Sequence, residues 1–303
     1  MSEQRSRPGL IGFRVSATGS VGLDWPTLDG MWACAGEFAA FDAAWMSDHL
    51  SDAGRERGGV AFEPFTTLAA LAHRVPRRWL GIAVASATFR HPAVLAKSAT
   101  VLDNVTGGRF ILGIGAGWHE GEHHAFGIRL PPMRERFDRL ESTVRVVSAL
   151  FGPDGTKGHG VTLDDPQFPL SGATNEPAPI RPGGPAIWLG GQRPRGIRLA
   201  VEYAEGWPMP GNRPGDVVYF AEKRDEIRRA LEAAGRDPND FTFAAQLDCG
   251  TSAETRRAAL DTARRFVAVG ANHVILGVPA AAGPDGLAAM AREVAEPLSV
   301  DSA

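Results

Sequence analysis

Short apolar runs alternate with longer amphipathic stretches along most of the chain. The runs 10–15 and 79–86 have the length and the β-branched content of buried strands. The stretch 134–151 instead repeats its apolar residues at helical spacing, with charged residues between them, at Phe137, Leu140, Val144, Val147 and Leu150. The pattern therefore predicts a chain that alternates strands with helices.

Eight such strand and helix units are predicted. The strands are expected at 10–15, 42–47, 79–86, 109–114, 185–189, 206–209, 241–247 and 273–276. The helices are expected at 27–41, 64–73, 92–104, 134–151, 193–202, 216–234, 253–269 and 285–295. Parallel strands joined by helical crossovers must be covered on both faces or closed on themselves, so this count favours an α/β fold of the (β/α)8 TIM-like barrel type. A doubly wound open sheet is the alternative.

One region breaks the alternation. Between 152 and 184 the composition shifts to Pro, Gly, Asp and Thr, which indicates an excursion from the regular connections. We interpret it as an insertion into a single barrel domain that spans 1–303, and a domain boundary at this point is the alternative.

Charge and composition narrow the classes of partner. The 32 Lys and Arg residues nearly balance the 35 Asp and Glu residues, and the net charge of -3 predicts neither a nucleic-acid nor a membrane partner. The polar start of the chain lacks the apolar core of a signal peptide, and the chain has no apolar run of membrane-spanning length. Cys34 and Cys249 do not make a disulfide framework. These features predict a cytoplasmic protein with a small-molecule substrate.

Functional side chains of a barrel enzyme lie at the carboxyl ends of the strands. The second strand ends in Asp48 and His49, where a neutral imidazole can bond a ring cofactor or move a proton while the carboxylate orients it. A surface turn capped by Asp48 is the alternative. After the third strand, Arg90 offers a fork for a phosphate or carboxylate, or a partner for a nearby acid.

Two glycine-containing turns follow other strands. The run from Gly113 to Trp118 is not a dinucleotide fingerprint, because its third glycine is missing. Its backbone amides can nevertheless donate hydrogen bonds to a phosphate, and its small residues can let a flat ring approach. The run Gly190, Gly191, Gln192 leads into a helix with several arginines, which fits a phosphate site at a helix N-terminus. A tight turn with solvated arginines is the alternative.

His119, Glu120 and His123 match the HExxH pattern, in which two histidines on one helical face share a zinc ion. Gly121 lies at the centre of the segment, no helix is evident there, and no third ligand follows. We therefore expect no metal and interpret the segment as a polar loop over the site, with His119 and Glu122 as further candidates for acid or base.

In combination, these segments resemble luciferase-like monooxygenases, and in particular their branch that depends on the deazaflavin coenzyme F420. The resemblance covers roughly 10–207 and rests on motifs in the expected order, among them WMSDH at 45–49, EPFTTLAALA at 63–72, PAVLAK at 92–97, LGIGAGWHEGEHHAFGI at 112–128, RERFDRLE at 134–141 and AEGW at 204–207. The last third of the chain matches only in its alternation of strands and helices.

The resemblance implies a barrel with an insertion, no metal, a homodimer, and F420 or FMN lying across the strand ends. By position it implies cofactor contacts from Asp48, Ala83, Val84, Ala85, Gly115, Ala116, Gly117, Trp118, Gly190, Gly191 and Gln192. Relatives often carry a non-proline cis peptide at the site of Ala83 and Val84. Two positions depart from the family pattern, because Ala85 replaces a hydroxyl residue and His119 replaces an amide.

The activity that follows is hydride transfer between F420 and a small organic substrate, in which the protein orients the reactants and relays a proton. His49 is the first candidate for that relay, followed by His119 and Glu122. An FMN-dependent monooxygenase on the same barrel is the alternative. A flavin-binding protein without catalysis and a zinc metalloprotease remain as further hypotheses.

Overall fold

The computed structural model describes residues 7–16, 23–51 and 60–301. Eight parallel strands form a closed barrel in the order β1-β2-β3-β4-β7-β8-β9-β10, with β10 pairing back onto β1. The barrel strands are β1 Ile11–Ser16, β2 Ala43–Met46, β3 Trp79–Ser86, β4 Phe110–Gly115, β7 Ala186–Leu189, β8 Gly206–Pro208, β9 Thr242–Asp248 and β10 His273–Pro279. The prediction of a TIM-like barrel is confirmed, and the open sheet is wrong.

Helices cover the outside of the barrel, and their starts follow local capping chemistry. Helix α1 begins two residues before the prediction, because the Asp24 side chain accepts from the Thr27 amide and proline occupies the first turn. The larger outer helices are α1 Trp25–Glu37, α2 Pro64–Leu71, α3 Pro92–Thr106, α5 Met133–Phe151, α7 Pro194–Tyr203, α8 Val217–Ala233, α9 Ala253–Ala268 and α10 Gly283–Met290. A π-helical turn, Ala291–Ala295, and α11, Glu296–Asp301, end the described chain.

Two indoles fill the inside of the barrel. Trp45 and Trp188 pack with ring centroids 4.8 Å apart, and both are almost fully buried. Glycines on the neighbouring strands make room for them, since a Cβ on Gly12 or Gly81 would lie within 2.4 Å of the Trp45 ring and one on Gly206 within 2.5 Å of the Trp188 ring. We call Trp45 and Trp188 the tryptophan plug.

His273 supports the plug from the start of β10. Its Nε2 accepts from the Trp45 indole at 2.9 Å, and its Nδ1 donates to the Gly9 carbonyl at 2.6 Å. Complete burial lowers the pKa of His273 to about 4, so this imidazole is neutral at physiological pH. It is a structural histidine whose two nitrogens are both paired.

The 152–184 segment contains ordered structure that its composition did not indicate. It includes the short helix α6, Pro153–Thr156, and an antiparallel hairpin of β5, Val161–Leu163, and β6, Leu170–Ala173. Asp165 joins it to α5, with a carboxylate oxygen 3.3 Å from Arg145, and accepts from the Gln167 and Phe168 amides at 3.0 Å. The segment between α5 and β7 is therefore folded.

Candidate active site

The candidate site lies at the carboxyl ends of the barrel strands, an opening that we call the mouth. Val84 of β3 occupies its centre, because a Cβ on Gly115 would lie 2.6 Å from the Val84 side chain and a Cβ on Gly190 would lie 3.8 Å from it. The Ala83–Val84 peptide bond is cis, as the resemblance implies. Three strands, β3, β4 and β7, thus bring predicted cofactor residues together around a surface that two glycines leave bare.

Ala85 is not part of this surface. The pairing of β3 with β4 shifts register between Ile82 and Ala85, so the alternation that points Ala83 into the barrel does not continue to Ala85. Ala85 is fully buried in the outer core between strands and helices, together with Ile114. The expectation of a cofactor contact from Ala85 is therefore not supported by its placement.

Asp48 is buried behind the site. Its carboxylate accepts from the Ser86 amide at 2.8 Å and from both terminal nitrogens of Arg90, at 2.6 and 3.0 Å. Burial raises the pKa of Asp48, while Arg90 and the Ser86 amide oppose that rise. Arg90 also donates to Glu63 at 2.7 Å, so Arg90 fixes the strand ends and has its carboxylate partners within the protein.

His49 and Glu122 form a hydrogen-bonded pair across the mouth. The Glu122 side chain is 1% exposed and its second oxygen lies 3.1 Å from Nδ1 of His49, whose side chain is 21% exposed. The first oxygen accepts from the Leu50 amide and, at 2.9 Å, from the Ser51 amide. Although burial alone would raise it, these donors, His49 first, lower the pKa of Glu122 below its usual range. The carboxylate is therefore ionised and accepts the Nδ1 proton of His49.

This pairing determines which histidine nitrogen is available. A neutral imidazole carries one proton, and the Glu122 carboxylate holds it on Nδ1. Nε2 of His49 then bears a lone pair, and among the residues described it has no hydrogen-bond partner. His49 combines partial exposure and a fixed tautomer with an acceptor nitrogen that no described residue engages, and these are the properties that a proton relay requires.

The strand-four turn carries the most exposed aromatic side chain of the mouth. Trp118 is 61% exposed and meets the His49 ring edge-on, with centroids 5.9 Å apart, as well as the His119 ring at 4.9 Å. Gly117 has a φ of +81°, and a Cβ there would lie 2.7 Å from the Ser86 and Thr88 hydroxyls. Gly117 thus allows the turn beside Ala116 to lie close to β3. Any other residue at this position would force the neighbouring atoms to shift.

The HExxH segment forms a helix and not the loop that we predicted. Helix α4, Glu120–Ala125, begins after His119, whose Nδ1 accepts from the Glu122 amide at 2.9 Å. His123 is buried, donates from Nδ1 to the His119 carbonyl at 2.8 Å and accepts at Nε2 from the Thr88 hydroxyl at 2.7 Å. Both nitrogens of His123 are occupied, and the described residues contain no group of metal ligands. The zinc hypothesis is therefore not supported.

The turn after β7 is built around backbone contacts. A Cβ on Gly191 would lie 2.4 Å from Gly196 of α7, and the Gly191 carbonyl accepts from the Trp207 indole at 3.0 Å. Gln192 accepts from the Tyr219 hydroxyl at 2.7 Å. No side chain caps the start of α7, so its first amides can hold a phosphate. Arg195 pairs with acids of α5 and lies on the outer surface of the barrel.

The structure adds three polar residues that the sequence analysis missed. Arg14, Gln246 and Asp248 lie toward the carboxyl ends of β1 and β9, and Arg14 donates to Gln246 at 2.7 Å. The signal was present in the sequence, because each residue is a polar side chain within an otherwise apolar strand run.

In the part of the chain that is described, no helix has the length and apolar character needed to cross a bilayer.

The closed barrel defines this chain as a TIM-barrel protein, with a candidate ligand site at its strand ends. A profile of the luciferase-like monooxygenase family matches residues 30–298, and the chain belongs to that family. The predicted membership is confirmed.

Curated relatives carry more specific names. A phthiodiolone/phenolphthiodiolone dimycocerosates ketoreductase of Mycobacterium tuberculosis is 35% identical over 222 residues, which are 67% of this chain and 56% of the relative. An F420-dependent glucose-6-phosphate dehydrogenase of Nakamurella multipartita is 30% identical over 232 residues, 76% of this chain and 65% of the relative. The chain thus matches little more than half the length of the ketoreductases.

Solved structures show the same fold at low sequence identity. An F420-dependent secondary alcohol dehydrogenase in complex with an F420-acetone adduct superposes with a TM-score of 0.72 at 19% identity, covering 96% of this chain and 99% of that one. A monooxygenase from Streptomyces bottropensis superposes with a TM-score of 0.77 at 20% identity, covering 97% and 100%. These likenesses establish the architecture.

Proposed function

We propose that the chain is an oxidoreductase that transfers a hydride between coenzyme F420 and a small organic substrate. The observation that carries the proposal is His49, a partly exposed imidazole at the mouth whose tautomer is fixed by the buried Glu122 carboxylate. The names of the similar ketoreductase and glucose-6-phosphate dehydrogenase support the same class of reaction.

The residues around Val84 fit a flat ring cofactor. Gly115 and Gly190 flank Val84 without side chains of their own, so a planar group can approach the backbone there. The turns Ala116 to Trp118 and Gly190 to Gln192 would hold the two sides of the cofactor, with its phosphate at the uncapped start of α7. When bound, F420 supplies the ring carbon that accepts or donates the hydride.

The protein's own contribution is to place the substrate and to move one proton. With Nδ1 bonded to Glu122, His49 accepts a proton at Nε2 when an alcohol is oxidised, and the imidazolium returns it when a carbonyl is reduced. Glu122 already accepts from three donors, so it acts as a positioning residue. Trp118 contacts the rings of both His49 and His119 at the rim, so it would pack beside a substrate bound at His49.

Equilibrium binding of F420 and of FMN to the purified protein tests the cofactor. We expect F420 to bind much more tightly, and binding of neither would refute the proposal. His49→Ala tests the relay, because the variant should keep F420 affinity and lose turnover. His159→Ala is the matched control, since that imidazole is 72% exposed on the insertion and should change neither quantity. Full turnover by His49→Ala would exclude the assigned relay.

The second candidate is an FMN-dependent monooxygenase, which the family description and the Streptomyces monooxygenase favour. Tight FMN binding together with substrate-dependent oxygen consumption would support it. Cofactor binding without turnover of either kind would instead indicate a binding protein.

Three further predictions from the sequence are one domain over 1–303, a cytoplasmic location and a homodimer. Light scattering in solution would test the homodimer.

A further inference from the structure

Arg14 differs from Arg90 and Arg256, two other arginines whose side chains are little exposed. The Arg90 side chain is 16% exposed and holds Asp48 and Glu63 at 2.6 and 2.7 Å, and the Arg256 side chain is 11% exposed and holds Glu293 at 2.8 Å. Arg14 is 12% exposed, yet its nearest carboxylate oxygen, on Asp248, is 4.0 Å away. It therefore has no hydrogen-bonded carboxylate among the residues described.

The hydrogen bonds of Arg14 are also incomplete. One terminal nitrogen donates to Gln246, and the buried Nε has no hydrogen-bond partner in the part of the chain that the structure describes. Gln246 is fixed in turn, because its amide nitrogen donates to the Met209 carbonyl. A guanidinium has five N–H donors, and a buried donor without a hydrogen-bond acceptor lowers the stability of the fold. The geometry thus leaves donor capacity at this point for an oxygen-bearing ligand.

Strand register places this capacity at the mouth. Arg14 is level with Gly277 on β10, which is level with Asp248 on β9. Gly277 has no side chain to separate them, and a Cβ there would lie 2.4 Å from the Asp248 carboxylate. Arg14 is two residues beyond Gly12, so both point into the barrel, and Gly12 already contacts Trp45 of the tryptophan plug. Arg14 therefore lies at the mouth end of the interior.

We propose that Arg14, supported by Gln246, binds an anionic oxygen group of the substrate, a carboxylate or a phosphate, at the part of the mouth formed by β1 and β9. The inference rests on the proposed function, since it describes how a substrate is oriented toward His49. Asp248 is half exposed and hydrated, so it offsets the Arg14 charge only weakly. A bound anion would complete both the charge and the hydrogen bonds of Arg14.

Thermal unfolding with simple anions tests this site without any cofactor. The melting temperature is measured against acetate and inorganic phosphate, with chloride at equal ionic strength as the reference, because a ligand that binds the folded state raises it. We expect Arg14→Gln to weaken the apparent affinity for at least one of the two anions by about tenfold or more, the worth of a charged hydrogen bond. Arg14→Lys, which keeps the charge, should retain part of it.

Arg264→Gln is the matched control. It removes an arginine from the outer face of α9, where its partners are Asp261 and Asp301, and should leave the anion response at the wild-type level. Equal anion responses in Arg14→Gln and Arg264→Gln would overturn the proposal.

F420 binding to the same variants separates the two proposals. Unchanged F420 affinity in Arg14→Gln, with a lost anion response, supports a substrate role. A tenfold loss of F420 affinity would mean that Arg14 binds the cofactor, which overturns this inference and leaves the proposed function intact. F420 binding by neither wild type nor variant would refute the proposed function alone, since the anion response does not require the cofactor.

Discussion

Glu122→Gln tests the central element of the site, the tautomer of His49. In the wild type one oxygen of Glu122 accepts from the Leu50 and Ser51 amides and the other accepts from Nδ1 of His49. A glutamine of the same shape keeps its oxygen on the two amides and turns its NH2 group toward His49. Nδ1 must then accept, so the ring proton moves to Nε2 and the imidazole can no longer take a proton there.

The expected losses are of different size for stability and for rate. One of three hydrogen bonds to a buried carboxylate changes, which should cost about 1.5–3 kcal/mol of unfolding free energy. General acid or base catalysis contributes roughly 10²- to 10⁴-fold, so kcat on any ketone that the wild type reduces should fall by about 100-fold or more. Cofactor affinity should stay unchanged, because the Glu122 side chain is 1% exposed and its oxygens are engaged by protein donors.

The assay follows the oxidation of reduced F420 with a panel of ketones, and urea unfolding of the same samples gives the stability. Glu293→Gln is the control, because it alters a partly exposed carboxylate that pairs with Arg256 away from the mouth. Turnover by Glu122→Gln equal to that of the control would refute the tautomer argument.

The lowered pKa of Glu122 also predicts how stability depends on pH. The stabilisation from the Glu122 carboxylate is complete above pH ~4.3, the value in the unfolded chain, and is lost as the pH falls through the lower pKa of the folded protein.

Three further predictions follow from the structure. Gly117→Ala should lose about 2 kcal/mol or more of stability in urea unfolding, because its positive φ and the Ser86 and Thr88 hydroxyls both oppose a Cβ. His273 is neutral in the fold, with a pKa of about 4, so stability should fall as pH drops from ~6.5 toward 4, by up to about 3 kcal/mol, and His273→Gln should flatten this slope in pH-dependent melting. Treatment with EDTA should leave F420 binding and turnover unchanged, since both nitrogens of His123 are bonded within the protein, and a loss of turnover would restore the metal hypothesis.

The barrel could be predicted from the sequence because its signal is local. Each buried strand is a short apolar run between helical patterns, and closure follows from their number and from the parallel crossovers. The hairpin within 152–184 was missed because its strands have only three and four residues and lie in a segment rich in Pro and Gly. Helix α4 was missed because it has only six residues and contains Gly121.

The site was predicted less completely, because the direction in which a side chain points depends on strand register and burial. His49 and Gly115 were found because they follow strands, and their position along the chain already places them at the mouth. Ala85 was assigned to the site only by its position in the family resemblance, whereas the register shift in β3 places its side chain in the outer core. The pairing of Glu122 with His49 joins residues 73 positions apart, and no local pattern encodes such a contact.

The tryptophan plug also limits how the sequence of this protein can change. Trp45, Trp188 and the glycines Gly12, Gly81 and Gly206 come from different strands but divide one enclosed volume. Enlarging Gly206 alone forces the Trp188 indole aside, while shrinking Trp188 alone leaves a void, so each change is harmful without the other. The two changes together should cost less than their sum. Substitutions at these positions on separate strands therefore depend on each other, so that a replacement at one is tolerated only with a matching replacement at another.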